Sequence, residues 1–241
     1  MQEIMNKELL ILTSHCDNTS HLSIPTIFSL FQDLASEHGT LMKVGFEQLS
    51  EKGLFWLTAR TKIHIENRPS MMDLVTLKTW PEKPGRVRCN RYYQIFLGDQ
   101  LLITGKTEWA VIHLESGRLQ KLTEVYPEDM EHCPDIALEE PYTKIPEDFT
   151  DCQILGTYKV RSTDIDMGQH MNNAAYPRVI FGSFSCQQIA DMNIHDAEIA
   201  FRSPCFEGEE LTLYQRPAEN GALDIGLFHS DGRIAAACRL S

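Results

Sequence analysis

Two stretches of the chain read D-x-x-x-H and run into a helical pattern, one from Asp17 to His21 and one from Asp166 to His170. A motif that returns with its flanking periodicity marks a duplicated unit, so the fold must be one that about half the chain can adopt twice. The first unit begins near residue 10 and the second near residue 155. With 241 residues and 42% apolar side chains, each copy has enough material for its own core.

In the first copy, Ser23 stands as a helix cap and Pro25 in the first turn. Ile27, Phe28, Phe31, Leu34 and Ala35 fall at helical spacing, and Gly39 is the expected stop. In the second copy, Tyr176, Val179, Ile180, Ser183 and Phe184 repeat the spacing. Asn172 or Asn173 is the cap there, and Pro177 lies in the first turn.

Strand patterns follow each helix: TARTKIHIE, DLVTLKTW, RVRCNRYYQIF and LLITGKTEWAVIHL, then AEIAFRSPC, EELTLYQRP, LDIGLFHS and RIAAACRLS. Ile63 and Ile65 correspond to Ile199 and Phe201, and Leu77 to Leu213, at one constant offset. The expected order is therefore a helix and then a meander, twice. The Pro-rich, acidic stretch between the copies reads as a linker, giving an N-terminal domain 1–130, a linker 131–150 and a C-terminal domain 151–241.

The net charge of -12 argues against general nucleic-acid binding. Seven cysteines with no C-x-x-C pair fit neither a disulfide framework nor a zinc ribbon, so free thiols are expected. The N-terminal stretch carries Glu3 and has no basic leader, and no later run reaches membrane-spanning length. A cytoplasmic chain that does not bind membranes is the expectation.

A helix wrapped by an antiparallel sheet, present twice, resembles the tandem hotdog fold, an α+β class built from two tandem hotdog domains. More specifically, LFQDLASEHGTLMKVGFEQL, LFWLTARTKIHIENRP, VTLKTWPEKPGR, GKTEWAVIHLESGRLQKLT and above all RSTDIDMGQHMNNAAY resemble a bacterial form of the acyl-acyl-carrier-protein (acyl-ACP) thioesterase family, best known from plant plastids. The likeness spans nearly the full length. It implies hydrolysis of acyl-ACP to fatty acid and carrier, in fatty acid biosynthesis, with no metal or cofactor and the chain as monomer or homodimer. Acyl-CoA hydrolysis and non-hydrolytic acyl binding are the alternatives.

The family opens its second helix with D-x-N-x-H and carries Glu-Cys about one strand pair downstream. Asp166 and His170 match, Gly168 replaces the Asn, and Pro204-Cys205 stands where Glu-Cys is expected. Single-domain hotdog thioesterases acting on hydroxybenzoyl-CoA use an Asp at the equivalent helix entrance, to which Asp166 also aligns.

Thioester hydrolysis needs an activated water or a carboxylate nucleophile, and donors for the developing oxyanion. Asp166 is the candidate base or nucleophile, or else caps its own turn. His170 is placed to orient water, position Asp166 or donate to the carbonyl, unless it is a structural histidine. Backbone amides around Gln169 to Asn173 are candidate oxyanion donors, and the side chains of Asn172 and Asn173 are either donors or caps. Gly168 lets backbone approach substrate closely. Cys205 reads either as a nucleophile or as an inert core thiol.

The acyl pocket is assigned to the first helix, with Ile27, Phe28, Leu30, Phe31 and Leu34 as candidates. Lys83, Arg86, Arg88 and Arg91 form the densest basic cluster in an acidic chain, either a docking patch for an anionic carrier or a solvated strand face. His15, Cys16, Asp17 and His21 lack a recognised metal-ligand spacing.

Overall fold

The computed structural model describes residues 3–127 and 130–241. The chain divides into two compact units, Met1–Glu140 and Pro141–Ser241. The first holds β1 (Met5–Leu10), α1 (Ile24–Leu41), α2 (Phe46–Ser50), β2 (Leu54–Ile65), β3 (Leu74–Pro81), β4 (Arg88–Leu97) and β5 (Gln100–His113). The second holds β6 (Gln153–Lys159), α3 (Ala175–Gly182), α4 (Cys186–Met192), β7 (Asp196–Phe201), β8 (Glu210–Pro217), β9 (Leu223–His229) and β10 (Ile234–Leu240).

The first unit orders its strands β1-β3-β4-β5-β2 and the second β6-β8-β9-β10-β7, with every pair within each unit antiparallel. The duplication read from the motif is therefore a duplication of topology, and each unit is a hotdog. Among the described residues no helix is long and apolar enough to cross a membrane.

Each unit opens with a strand that the sequence pattern did not reveal. β1 and β6 are edge strands of their units' sheets, and most of their side chains face outward. Charged residues such as Lys7, Glu8 and Lys159 break the apolar alternation, which suits an edge that must not recruit further strands.

α1 begins as its sequence dictates, with Ser23 Oγ accepting from the Thr26 amide at 3.3 Å and proline in the first turn. Gly39 does not end it. The helix runs through Gly39 to Leu41, and the chain turns at Lys43, whose φ is 59°. In the second unit the helical stretch is shorter and split. α3 stops after Gly182, and a capping box of Ser185 and Gln188 (3.2 and 2.8 Å) starts α4 as a separate helix.

The helix of the first unit meets its sheet through Phe31, whose ring stacks on Tyr93 at 4.3 Å and 6°. Such an aromatic pair contributes about 0.5–1.5 kcal/mol beyond area burial. Room for the ring exists only because β5 has Gly105 beneath it, where a Cβ would lie 2.3 Å from Phe31 Cε2. In the second unit Tyr176 of α3 packs edge-on against Phe201 of β7 at 5.3 Å.

The segment expected as a linker has no regular elements over residues 131–149, yet it is fastened along its length. Trp80 Nε1 donates to Asp135 O (2.9 Å) and Lys106 Nζ to Leu138 O (3.1 Å). The Thr143 amide donates to the Glu198 carboxylate at 2.9 and 3.0 Å, and Phe149 packs against Phe228.

Candidate active site

The second D-x-x-x-H is a closed turn lying ahead of α3, not the first turn of the helix. Asp166 N donates to His170 O (3.1 Å), Gln169 N donates to Asp166 O (3.0 Å), and Gln169 takes the left-handed conformation at φ 60°. Asp166 Oδ1 accepts from Gly168 N at 2.7 Å, which fixes the carboxylate plane. His170 is half-buried, with Nδ1 3.4 Å from Met171 O.

Several amides expected to serve an oxyanion are already engaged. Gln169 N is used by the turn, Met171 N donates to Cys205 O (2.7 Å) and Asn172 N to Asp164 O (2.8 Å). The residue preceding α3 is Ala174, so neither Asn172 nor Asn173 is its cap position. Asn172 Oδ1 nevertheless accepts from Ala174 N (2.8 Å), the capping alternative in a shifted register. Asn173 lies between them, half-buried.

Sequence reading also missed Asp164. It is buried at 6% exposure and accepts from Tyr158 OH (2.7 Å) and Arg161 N (2.8 Å), so this carboxylate holds the entry to the turn. The signal was present as the first Asp of DID, but the motif drew attention to the second.

Cys205 lies behind the turn, fully buried, with Tyr176 OH donating to its Sγ at 3.3 Å. Burial pushes its pKa up to about 11 despite the Tyr176 bond. A protonated, enclosed thiol is a poor nucleophile, so the catalytic reading of Cys205 is corrected to that of a buried thiol.

The first unit contains the same turn with different electrostatics. Asp17 N donates to His21 O (2.9 Å), Ser20 has φ 62°, and Leu22 N donates to Pro69 O as Met171 N does to Cys205 O. Here, however, the carboxylate is occupied: Asp17 Oδ1 accepts from Thr19 N (2.9 Å) and Thr19 Oγ1 (2.6 Å), and Oδ2 is ion-paired with Arg68. Burial alone would raise the Asp17 pKa, but the Thr19 bonds and the Arg68 guanidinium hold it below the ordinary carboxylate value. The Leu22–Pro69 and Met171–Cys205 bonds align Arg68 with Pro204, so the second unit has no guanidinium at that position. His15 and His21 are tied into the first turn through Leu12 N and Thr19 O.

Of the basic cluster, Arg91 is buried and bonded to His38 Nδ1 (2.9 Å) and Thr79 Oγ1 (3.3 Å), which removes it from any docking face. Arg88 pairs with Glu108, while Lys83 and Arg86 are exposed. Ile27, Phe28 and Phe31 are buried in the core, whereas Leu30 is half-buried. A groove of about 440 Å³ in the second unit, lined by Phe184, Gln188, Met192, Leu223 and Leu240 among others, contains none of the predicted site residues.

Two solved structures share this fold across nearly the whole chain. An acyl-ACP thioesterase from Bacteroides thetaiotaomicron superposes with a TM-score of 0.90 at 18% identity, covering 99% of this chain and 97% of that one. The 12:0-ACP thioesterase from Umbellularia californica gives 0.86 at 15% identity, covering 100% and 97%.

The family profile for the acyl-ACP thioesterase N-terminal domain matches residues 2–130, and that for the C-terminal domain matches residues 149–234. The chain therefore belongs to the acyl-ACP thioesterase family. Among curated relatives, the chloroplastic oleoyl-acyl carrier protein thioesterase 2 of Arabidopsis thaliana is 29% identical over 222 residues, covering 82% of this chain and 59% of that protein. The Coriandrum sativum oleoyl-acyl carrier protein thioesterase is 26% identical over 240 residues, covering 89% and 63%. The chain spans about three fifths of the length of these two relatives.

Proposed function

We propose that this chain hydrolyses acyl-ACP thioesters to free fatty acid and carrier protein, with Asp166 as general base or nucleophile. The observation that carries the reading is the contrast between the two turns. The Asp17 carboxylate is neutralised by Arg68, whereas Asp166 sits in the same backbone with Pro204 in place of the arginine.

Gly168 N holds Oδ1, and Oδ2 is the oxygen that takes a proton from water or attacks the carbonyl carbon. If it attacks, an acyl anhydride forms as the pantetheine thiolate leaves, and water then releases the fatty acid and restores the carboxylate. His170 orients the water or the carbonyl, and the Asn173 amide beside the start of α3 supplies a donor to the oxyanion. Lys83, Arg86 and Arg88 attract the anionic carrier. We place the reaction in the cytoplasm.

Asp166→Asn tests the assignment because an amide keeps the Oδ1 bond to Gly168 N while losing basicity. Turnover of a panel of acyl-ACPs falls about 100-fold or more, in the range for loss of a general base. Unchanged turnover sinks the proposal. Comparing kcat/KM for one acyl chain on ACP and on CoA then settles the carrier.

A further inference from the structure

Beneath the turn, at the β8 and β9 end of the second unit, the fold gathers three side chains that are distant in sequence. Cys205 Sγ, a Glu209 carboxylate oxygen and a His229 ring nitrogen all lie within 4.8 Å of one another. Cys205 and His229 are buried, while the Glu209 side chain is 35% exposed and opens the cluster to solvent.

The protons around His229 can be counted. Ser203 Oγ donates its single hydrogen to Ile234 O at 2.8 Å and lies 2.8 Å from His229 Nε2. With that hydrogen used, Nε2 must carry the proton and donate to Ser203. The other nitrogen, Nδ1, then directs its lone pair at Glu209 Oε2 from 3.2 Å. Two acceptors at that distance require either a second ring proton or a cation between them.

The first unit shows that the turn itself needs none of this. There Asp73 Oδ2 accepts from Ser70 N (2.8 Å) as Glu209 Oε2 accepts from Phe206 N (3.1 Å). The positions matching Cys205 and His229 are Pro69 and Leu97, neither of which carries a metal-binding side chain.

We infer that Cys205, Glu209 and His229 form a binding site for a divalent transition metal, Zn²⁺ being the ion that suits a thiolate, an imidazole and a carboxylate together. The ion replaces the thiol proton, which passes to solvent, and the thiolate and carboxylate together neutralise its charge. The Tyr176 hydroxyl donates to the bound sulfur, Ser203 orients the imidazole, and a water from the Glu209 side completes a tetrahedron. Through Met171 N to Cys205 O, the ion also braces the Asp166 turn. The inference does not depend on the hydrolytic reading, because its readouts are metal stoichiometry and spectra.

The test is titration of chelator-treated full-length protein with Co²⁺ and then Zn²⁺. One equivalent of Co²⁺ produces a sulfur-to-cobalt charge-transfer band that Zn²⁺ abolishes, with a Zn²⁺ dissociation constant below about 1 µM. Cys205→Ser removes the band, Ser203→Ala weakens Zn²⁺ binding about 10- to 100-fold, and Cys152→Ser leaves both unchanged. Absence of the band in the wild-type protein overturns the inference, as does a band that survives Cys205→Ser. So does ¹⁵N NMR showing both His229 nitrogens protonated and unaltered by excess Zn²⁺, since the pair is then a plain imidazolium and carboxylate.

Discussion

Pro204→Arg recreates in the second unit the ion pair that occupies the first. In the first unit, Arg68 reaches the Asp17 carboxylate, Leu22 O at 3.2 Å and Thr19 Oγ1 at 3.4 Å. The matching groups in the second unit are Asp166, Met171 O and Gly168, so the introduced arginine keeps the carboxylate and the carbonyl and loses only the hydroxyl. A guanidinium beside an aspartate lowers its pKa by about 1–3 units, about 1.4 kcal/mol for each. The same contact covers the oxygen needed for chemistry, so kcat/KM on acyl-ACP falls about 100-fold or more, as for loss of a general base.

Stability barely responds to the same change. Pro204 is exposed. Losing its restraint on the unfolded chain costs about 0.4–1 kcal/mol, and the new pair returns about 0.2–1 kcal/mol. The assay is kcat/KM alongside thermal melting, with Pro204→Gln as the uncharged control. The reasoning is refuted if activity stays within about twofold of wild type while a crystal structure shows the guanidinium on Asp166. It is equally refuted if Pro204→Gln loses as much activity as Pro204→Arg.

In the first unit, Asp17→Asn removes the Arg68 pair and destabilises by about 0.2–1 kcal/mol at neutral pH without touching turnover. Because the folded-state pKa of Asp17 lies below its ordinary 3.8, this stabilisation is present above that pH and is lost as pH falls through the folded value. Urea unfolding of wild type and variant, compared from pH 7 downward, should therefore converge in acid, and a gap that widens contradicts the assignment. Gly105→Ala drives a methyl into the Phe31 ring and costs about 1–3 kcal/mol by overpacking, read as a drop in urea midpoint; an unchanged midpoint shows that the ring shifts freely. Reversing Arg86 and Arg88 to Glu raises KM for acyl-ACP several-fold at low salt and leaves kcat alone. The difference closes near 1 M salt, where screening acts over about 3 Å, and a KM unmoved at low salt removes the docking patch.

The interior strands and the start of α1 were legible because side-chain periodicity there answers to burial, whereas α3 begins after Ala174 rather than at an asparagine cap. Phe31 and Tyr176 are apolar where the core demands it. β1 and β6 were not legible, since at a sheet edge the outward face is free to carry Lys7 or Lys159 and the alternation disappears. Gly39 misled for a related reason: glycine marks a helix end only when the chain needs positive φ there, and Lys43 took that conformation instead.

At the site, spacing located the turn but could not show which of its groups were already engaged. Arg91 looked like a surface charge in PEKPGRVRCNR, yet it faces the buried His38. The amides of Met171 and Asn172 looked available until Cys205 O and Asp164 O were found to accept from them. Long-range partners of this kind leave no trace at short sequence separation. The cluster of Cys205, Glu209 and His229 is another product of the fold alone, joined by the strand pairing of β8 with β9.

The paired turns give the experimenter a reference built into every sample. Asp17 and Asp166 occupy backbones of the same shape in one polypeptide, so buffer, temperature and ionic strength act on both together. Carboxyl ¹³C resonances followed through a titration would report the difference between the two environments directly. Whatever the solvent does to an aspartate in general then cancels, and what survives the subtraction is the joint contribution of the Thr19 hydroxyl and the Arg68 guanidinium.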